Sequence, residues 1–139
     1  MAQKKVRNPE EAVTLLRRQS KKCVLLAIHL SRDLVTRHLQ RLDNEKTATS
    51  DILRQSIVRG TRALVIGRRG SRIEPTKEDD NFTQVLLRTG RIVGICVLDH
   101  ILLENGSYYS FKENGRLFKR GRAYSCGISE PKKQRLVCG

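Results

Sequence analysis

VIGRRGSRIEPTKEDD, residues 65–80, sets the end of an apolar run directly before a helix start. RALVIG, residues 62–67, reads as a short buried strand. Pro75, Thr76 and Asp79 then spell the start of a helix. Proline needs no backbone partner there, the threonine hydroxyl can cap a free N–H, and an acid three residues on can reach back. Between strand and helix lies GRRGSR, residues 67–72. One reading is an anion site, in which Gly67 and Gly70 let the backbone approach a ligand and Arg68, Arg69 and Arg72 offer forked donors beside a helix N-terminus. The other is a solvated loop, and the stretch alone does not separate the two.

Downstream, Phe82, Val85 and Leu86 give the helix its apolar stripe and Gly90 ends it. RIVGICVLDHILL, residues 91–103, is the strongest strand signal in the chain, and Asn105-Gly106 turns it into SYYSF, residues 107–111, as a hairpin. From Gly115 the pattern dissolves into a stretch with seven basic residues against one acid, a cationic tail with at most a short final strand. Upstream, Thr49 or Ser50 caps a helix whose Ile52, Leu53 and Ile57 share a face, closed by Gly60. KCVLLAIHL, residues 22–30, suits a buried strand, and residues 33–42 alternate as a second one. Asn8, Pro9, Glu10 and Glu11 open a first helix running to about Gln19, with the acids at the positive end of its dipole. MAQKKVRN, residues 1–8, carries three positive charges and no periodicity, and reads as a flexible arm. The order helix, strand, strand, helix, strand, helix, strand, strand predicts an α/β (α+β) domain, a mixed or largely antiparallel sheet flanked by helices.

A chain of 139 residues with 38% hydrophobic content fits one core. Its formal net charge of +14 attracts polyanions before any specific contact forms. No run approaches the roughly 18 apolar residues of a spanning helix, and no segment has the form of a cleaved leader, so no membrane partner is expected and the cytoplasm or an organellar matrix is the expected compartment. Four cysteines, at 23, 96, 126 and 138, lack the spacing of a zinc knuckle. Cys23 and Cys96 sit in apolar runs and read as small core residues. Cys126 and Cys138, in the tail, leave a disulfide, half a metal site or neither open.

Residues 74–117, EPTKEDDNFTQVLLRTGRIVGICVLDHILLENGSYYSFKENGRL, resemble the RadC-type branch of the JAB/MPN metalloenzyme fold. The match lies in the P-S/T-x-x-D cap at Pro75, Thr76 and Asp79, in Thr83, in the L-D-H of Leu98, Asp99 and His100, and in the Y-x-S-F of Tyr108 to Phe111. Similarity of element order extends it over residues 10–117, which implies the cytidine-deaminase-like JAB/MPN fold. The resemblance implies an active-site plan as well. Active members hold zinc with two histidines separated by one residue and, after ten intervening residues, an aspartate; a glutamate near the first strand serves the zinc-bound water as base. Zinc needs such nitrogen and oxygen lone pairs and an open position for water. Here only Asp79 matches, the histidine positions hold Ile66 and Arg68, and the glutamate position falls near Lys21 or Lys22 in a stretch with no acid between Glu11 and Asp33. A guanidinium keeps its charge and supplies no lone pair to a metal. His29 and His38 fall on separate predicted strands, and the resemblance makes His100 structural.

The expectation is a non-catalytic RadC-like domain, residues 9–117, between a basic arm, 1–8, and a basic tail, 118–139, with no metal and no cofactor. Nucleic acid, RNA slightly before DNA, is the expected partner. Lys4, Lys5 and Arg7 of the arm, Arg68, Arg69 and Arg72 of the loop, and Lys119, Arg120, Arg122, Lys132, Lys133 and Arg135 of the tail are the expected contacts. Each neutralised phosphate releases counterions, so such binding is strong at low salt and weak at high salt. Aromatic content of 4% makes stacking a minor term. Protein partners in a larger nucleoprotein complex are expected too. Two other classes stay open: a hydrolase or nuclease with magnesium held by Asp79, Asp80 and Asp99, and a protein-interaction scaffold.

Overall fold

The computed structural model describes residues 4–19, 25–70, 73–104, 106–119 and 122–123. Strand β1 (Leu25–Leu30) is buried along its whole length, as its nearly continuous apolar sequence, interrupted only by His29, leads one to expect. It pairs antiparallel on one side with β2 (Thr36–Leu42) and on the other with β3 (Ala63–Arg69). β3 pairs parallel with β4 (Cys96–Glu104), which turns back into β5 (Ser107–Ser110). The five-stranded sheet thus has the order β2-β1-β3-β4-β5 and is mixed, in agreement with the expected fold class.

Alternation sends successive strand residues to opposite faces. Leu25, Ala27, Leu64, Ile66 and Leu102 join Ile52 of α2 (Ala48–Arg59) and Leu86 and Leu87 of α3 (Lys77–Val93) in one core cluster. Leu26, Ile28, Val65, Ile101 and Leu103 join Ala12, Val13 and Leu16 of α1 (Pro9–Gln19) in the other. A short antiparallel pair, β6 (Phe118–Lys119) with β7 (Arg122–Ala123), follows. Among the described residues no helix is long and apolar enough to cross a membrane.

Several boundaries and faces differ from the sequence expectation. α3 runs through Gly90 to Val93, so residues 91–93 are helical and the strand expected from residue 91 begins at Cys96. Gly90 is there for space: a Cβ on it would lie 2.6 Å from the Ile95 carbonyl oxygen. The left-handed turn falls at Gly94, with φ 83°. Val85 is 38% exposed and Ile57 68% exposed, so neither belongs to the core stripes assigned to it; Thr83, Leu87 and Ser56 take the inward places. α2 begins at Ala48 behind a single tight turn at 45–47, which puts Thr49 and Ser50 inside the helix instead of at its cap.

The arm is no free segment where it is described. Val6 is 3% exposed in the α1-side core, its N–H donates to the Leu34 carbonyl, and the Thr36 N–H donates to the Lys4 carbonyl. One buried side chain and two backbone bonds add residues 4–6 to the β2 edge. Gly67 is likewise not a loop glycine. It lies within β3, where a Cβ would meet Leu16 of α1 at 2.6 Å, so it makes room for the helix. Cys96 is buried in the core as expected, and its sulfur is part of a disulfide, which the sequence reading did not assign.

Candidate functional site

β3 extends two residues past Gly67, and this places Ile66 and Arg68 on the sheet face that meets the N-terminus of α3. The helix start is the capping box read from the sequence. The Asp79 N–H donates to Thr76 Oγ1 at 3.1 Å, and the Thr76 N–H donates to Asp79 Oδ2 at 2.9 Å. The same carboxylate receives both edges of a guanidinium: Arg68 Nε donates to Oδ1 at 2.7 Å and Arg68 Nη2 to Oδ2 at 2.6 Å. The Arg68 and Asp79 side chains are only 20% and 8% exposed. Burial pushes the Asp79 carboxyl up, but the hydrogen bonds from Arg68 and Thr76 and the Arg68 charge together hold it below its ordinary value. A forked, charge-assisted pair of this kind is among the stronger polar contacts available to a protein.

One turn along α3, the Thr83 hydroxyl donates to the Asp79 carbonyl at 2.8 Å and lies 2.6 Å from His100 Nδ1. With the hydroxyl proton directed at the carbonyl, Nδ1–H must be the donor to Thr83, which leaves His100 Nε2 as a bare acceptor. That atom is buried and has no hydrogen-bond partner among the described residues. The ring stacks on Phe111 at 4.5 Å and meets the Phe82 ring edgewise at 5.9 Å. Burial drives the His100 pKa down to about 4, so the ring is neutral at pH 7. A cleft of about 150 Å³ is lined by Leu25, Arg68, Glu78, Asp79, Phe82 and His100.

These residues do not fit a zinc ion. The guanidinium engages both oxygens of Asp79, Ile66 offers carbon and is 1% exposed, and Arg68 has no lone pair to give. The Lys21 and Lys22 positions lie outside the described residues. Among the described residues no group of three or more histidine, cysteine or acidic side chains is arranged around a common metal position.

The three carboxylates considered for magnesium are separated by their own partners. Asp79 holds Arg68 and Asp80 pairs with Arg116, whose guanidinium also lies 5.8 Å over the Phe111 ring. Asp99 is buried, accepting from the Ser110 hydroxyl and from the N–H groups of His100 and Lys112. Burial pushes its carboxyl up to about 6 against those donors. His29 and His38 are cross-strand neighbours with ring centroids 5.7 Å apart, closer than separate strands suggested. Both nitrogens of His29 are engaged, however, by Thr61 and Gln40.

The expected phosphate contacts do not form one patch. Arg68 is turned inward onto Asp79, a correction to its assignment as a phosphate contact: a buried carboxylate outcompetes solvent for the fork. Arg69 is half-buried on β3 with contacts of its own. Lys4 and Lys5 are exposed at the other end of the sheet, and Arg7 pairs with Glu11 at 3.2 Å while staying 67% exposed. Five residues of β3 separate the two ends, about 17 Å at roughly 3.4 Å per residue. Lys119 and Arg122 are paired across β6 and β7, whereas Arg72, Arg120, Lys132, Lys133 and Arg135 lie outside the described residues.

The fold joins the expected Lys4 and Lys5 to three arginines, Arg32, Arg37 and Arg62, which the sequence reading missed. Lys5 bridges to Val35, and the Arg62 N–H donates to the Leu30 carbonyl. Lys4, Lys5, Arg32, Arg37 and Arg62 therefore gather around the β1–β2 turn, all exposed and none with an ion-pair partner among the described residues. The only hint in the sequence was exposed arginine alternating on an edge strand, since the rest depends on strand pairing.

The comparisons with known proteins agree with this architecture. A sequence profile described as RadC-like JAB domain matches residues 6–116. A UPF0758 protein of Aquifex aeolicus (strain VF5) is 32% identical over 123 residues, covering 81% of this chain and 52% of that protein. A UPF0758 protein of Clostridioides difficile (strain 630) is 35% identical over 66 residues, 46% of this chain and 28% of that protein. One from Trichlorobacter lovleyi is 49% identical over 43 residues, 31% and 19% of the respective chains. The chain thus spans about half, or less, of the length of these relatives.

Proposed function

The chain belongs to the RadC-like JAB domain family, and we propose that it is a non-catalytic member that binds nucleic acid as an accessory subunit of a larger assembly. The observation that carries the non-catalytic part is the Arg68–Asp79 pair. The one acid that matches the zinc plan is already neutralised, from within the chain, by a cation that can neither polarise a carbonyl as a Lewis acid nor hold a water for attack. At the cleft Asp79 is held by Arg68, Thr83 is committed to Asp79 and His100, and Glu78, Asp79 and His100 do not converge on a metal position among the described residues.

Nucleic-acid binding draws its support from the net charge of +14 and from the exposed cluster of Lys4, Lys5, Arg32, Arg37 and Arg62. Its footprint lies at the β1–β2 turn, across the sheet from the cleft, with the tail cations as an extension. These five residues include no aromatic ring on which a base could stack, so contact with the sugar-phosphate backbone leads and RNA and DNA are both taken, RNA first.

The experiment is fluorescence anisotropy of labelled single-stranded and duplex RNA and DNA against the full chain, between 50 and 200 mM salt, beside metal analysis of the purified protein. Four phosphate contacts to a single strand predict a loss of about 50-fold in affinity over that range, from a slope of about 0.7 per contact. Lys5→Ala/Arg32→Ala/Arg37→Ala should flatten that slope by about 2. Stoichiometric zinc, or a turnover that chelators abolish, refutes the non-catalytic part. No binding at 50 mM salt refutes the other.

A further inference from the structure

The two helices on the cleft side end in water with aliphatic side chains. Ile57 and Val58, in the last turn of α2, are 68% and 74% exposed; Ile92 and Val93, in the last turn of α3, are 83% and 43% exposed. Together with Val85 they are the exposed large hydrophobics of the described residues. Topology brings them to one edge. β3 and β4 are parallel and begin side by side at Ala63 and Cys96, and each is reached from its helix by a short turn, at Gly60 and at Gly94. Both helices therefore end at the same rim, and they pack against each other. β-branched residues are weaker helix formers than alanine or leucine, so four of them in water at two helix ends gain nothing for the isolated domain. Exposed apolar surface with a polar border marks a contact site.

The border says what the contact is. Residues 54–59 of α2 and 88–93 of α3 contain Arg59, Arg88, Arg91 and Arg54, the last paired with Asp51 one turn back, and no acid. A second copy of this chain would set arginine against arginine, which like-charge juxtaposition disfavours. A nucleic acid would meet aliphatic carbon without any aromatic ring on which a base could stack. A membrane interface selects tryptophan, phenylalanine and leucine, and none occurs among these residues. We propose that the C-terminal ends of α2 and α3 form a docking surface for a protein that presents an apolar ridge bordered by acidic side chains. The surface adjoins the nucleic-acid footprint, since Arg62 lies three residues past Arg59 and just before β3, and it is distinguished from that footprint by its aliphatic side chains and by the probe that engages it.

The probe is a designed amphipathic helical peptide with a leucine stripe flanked by glutamates, titrated into the full chain while isoleucine and valine methyl signals are followed by NMR. Shifts should centre on Ile57, Val58, Ile92 and Val93. Ile57→Ser/Ile92→Ser should weaken binding by at least about tenfold, near 1.4 kcal/mol. That variant should melt within a few degrees of wild type, because the side chains it alters are already in water. A peptide with lysine flanks should bind at least about tenfold more weakly. Equal binding of the lysine peptide, no binding of the glutamate peptide, self-association by sedimentation that the double variant abolishes, or co-sedimentation with anionic phosphatidylcholine/phosphatidylglycerol vesicles would each overturn the proposal.

Discussion

Replacing Arg68 by methionine keeps most of the apolar stem and removes the fork, leaving Asp79 as an uncompensated carboxylate that is 8% exposed. Breaking a buried pair from one side typically costs about 3–5 kcal/mol. Two features of this site reduce the figure. The Thr76 N–H still donates to Asp79 Oδ2 at 2.9 Å, and the start of a 17-residue helix still favours a negative charge. About 2–4 kcal/mol remains, and at roughly 3–4 °C per kcal/mol for a domain of this size the melting temperature should fall by about 7–15 °C. The sign with pH is fixed by Asp79, whose folded pKa is lowered. The stability it contributes is present above the ordinary carboxylate value and is lost as pH falls through the folded one. Without Arg68, burial is free to raise that pKa, so acid relieves the variant. The gap between wild type and Arg68→Met should therefore be widest at pH 6–8 and close below about pH 4. Thermal melts by circular dichroism at four or five pH values measure it. The double variant Arg68→Met/Asp79→Asn removes both charges and should be more stable at pH 7 than Arg68→Met alone. A single variant within 0.5 kcal/mol of wild type (an order-of-magnitude threshold of ~0.5, the scatter of surface substitutions), or losses that simply add in the double, would show that the pair does not tie β3 to α3.

Gly90→Ala should destabilise the protein by about 1–3 kcal/mol although alanine is the better helix former by about 1 kcal/mol, because the new Cβ meets the Ile95 carbonyl; a chemical denaturation curve decides it. His100, with its pKa lowered to about 4, contributes stability that is full above pH 6.5 and is lost as pH falls toward 4. Asp99, raised to about 6, has the opposite slope, its stability being present below about pH 4 and lost as pH rises through 6. The two offset each other between pH 4 and 6, which leaves there the slope of the other lowered histidines, His29 and His38, whose stability is lost as pH falls; His100→Phe should make the loss on acidification shallower than in wild type, read from melting temperature against pH. For nucleic-acid binding, Arg68→Met should leave the salt dependence of affinity unchanged while Lys5→Ala/Arg32→Ala/Arg37→Ala lowers it, since only the latter removes exposed cations.

The residues that were legible in the sequence are those whose role is local. Thr76 and Asp79 form the predicted capping box because a cap needs only a spacing of three along one chain. Buried β1 followed from a nearly continuous apolar run. What failed needed a third dimension. Gly90 and Gly94 look alike as helix stops, and only the approach of the Ile95 carbonyl to the first decides that the second is the turn. Gly67 reads as a loop glycine until Leu16 is laid across it. Ile57 has core chemistry and helical spacing, yet α2 is rotated so that Ala48, Ile52 and Ser56 face inward.

Arg68 is the instructive case, since its readings as a phosphate contact or a solvated side chain assumed that it points outward, whereas the family resemblance put it at a ligand position facing the site. Its β3 position decides otherwise: residues two apart share a face, so Arg68 follows Ile66 toward α3, where it meets the buried carboxylate of Asp79. A cation at that point is required electrostatically, because an aspartate 8% exposed beside a neutral histidine has no other source of compensation than a helix end. The guanidinium supplies the charge from within the chain, permanently and without dependence on pH or metal supply. A forked donor engaged by one carboxylate keeps the strand and helix together. Asp79 with Arg68 as its counter-charge therefore ties the end of β3 to the start of α3 without a metal, which is the physical basis of the non-catalytic reading proposed above.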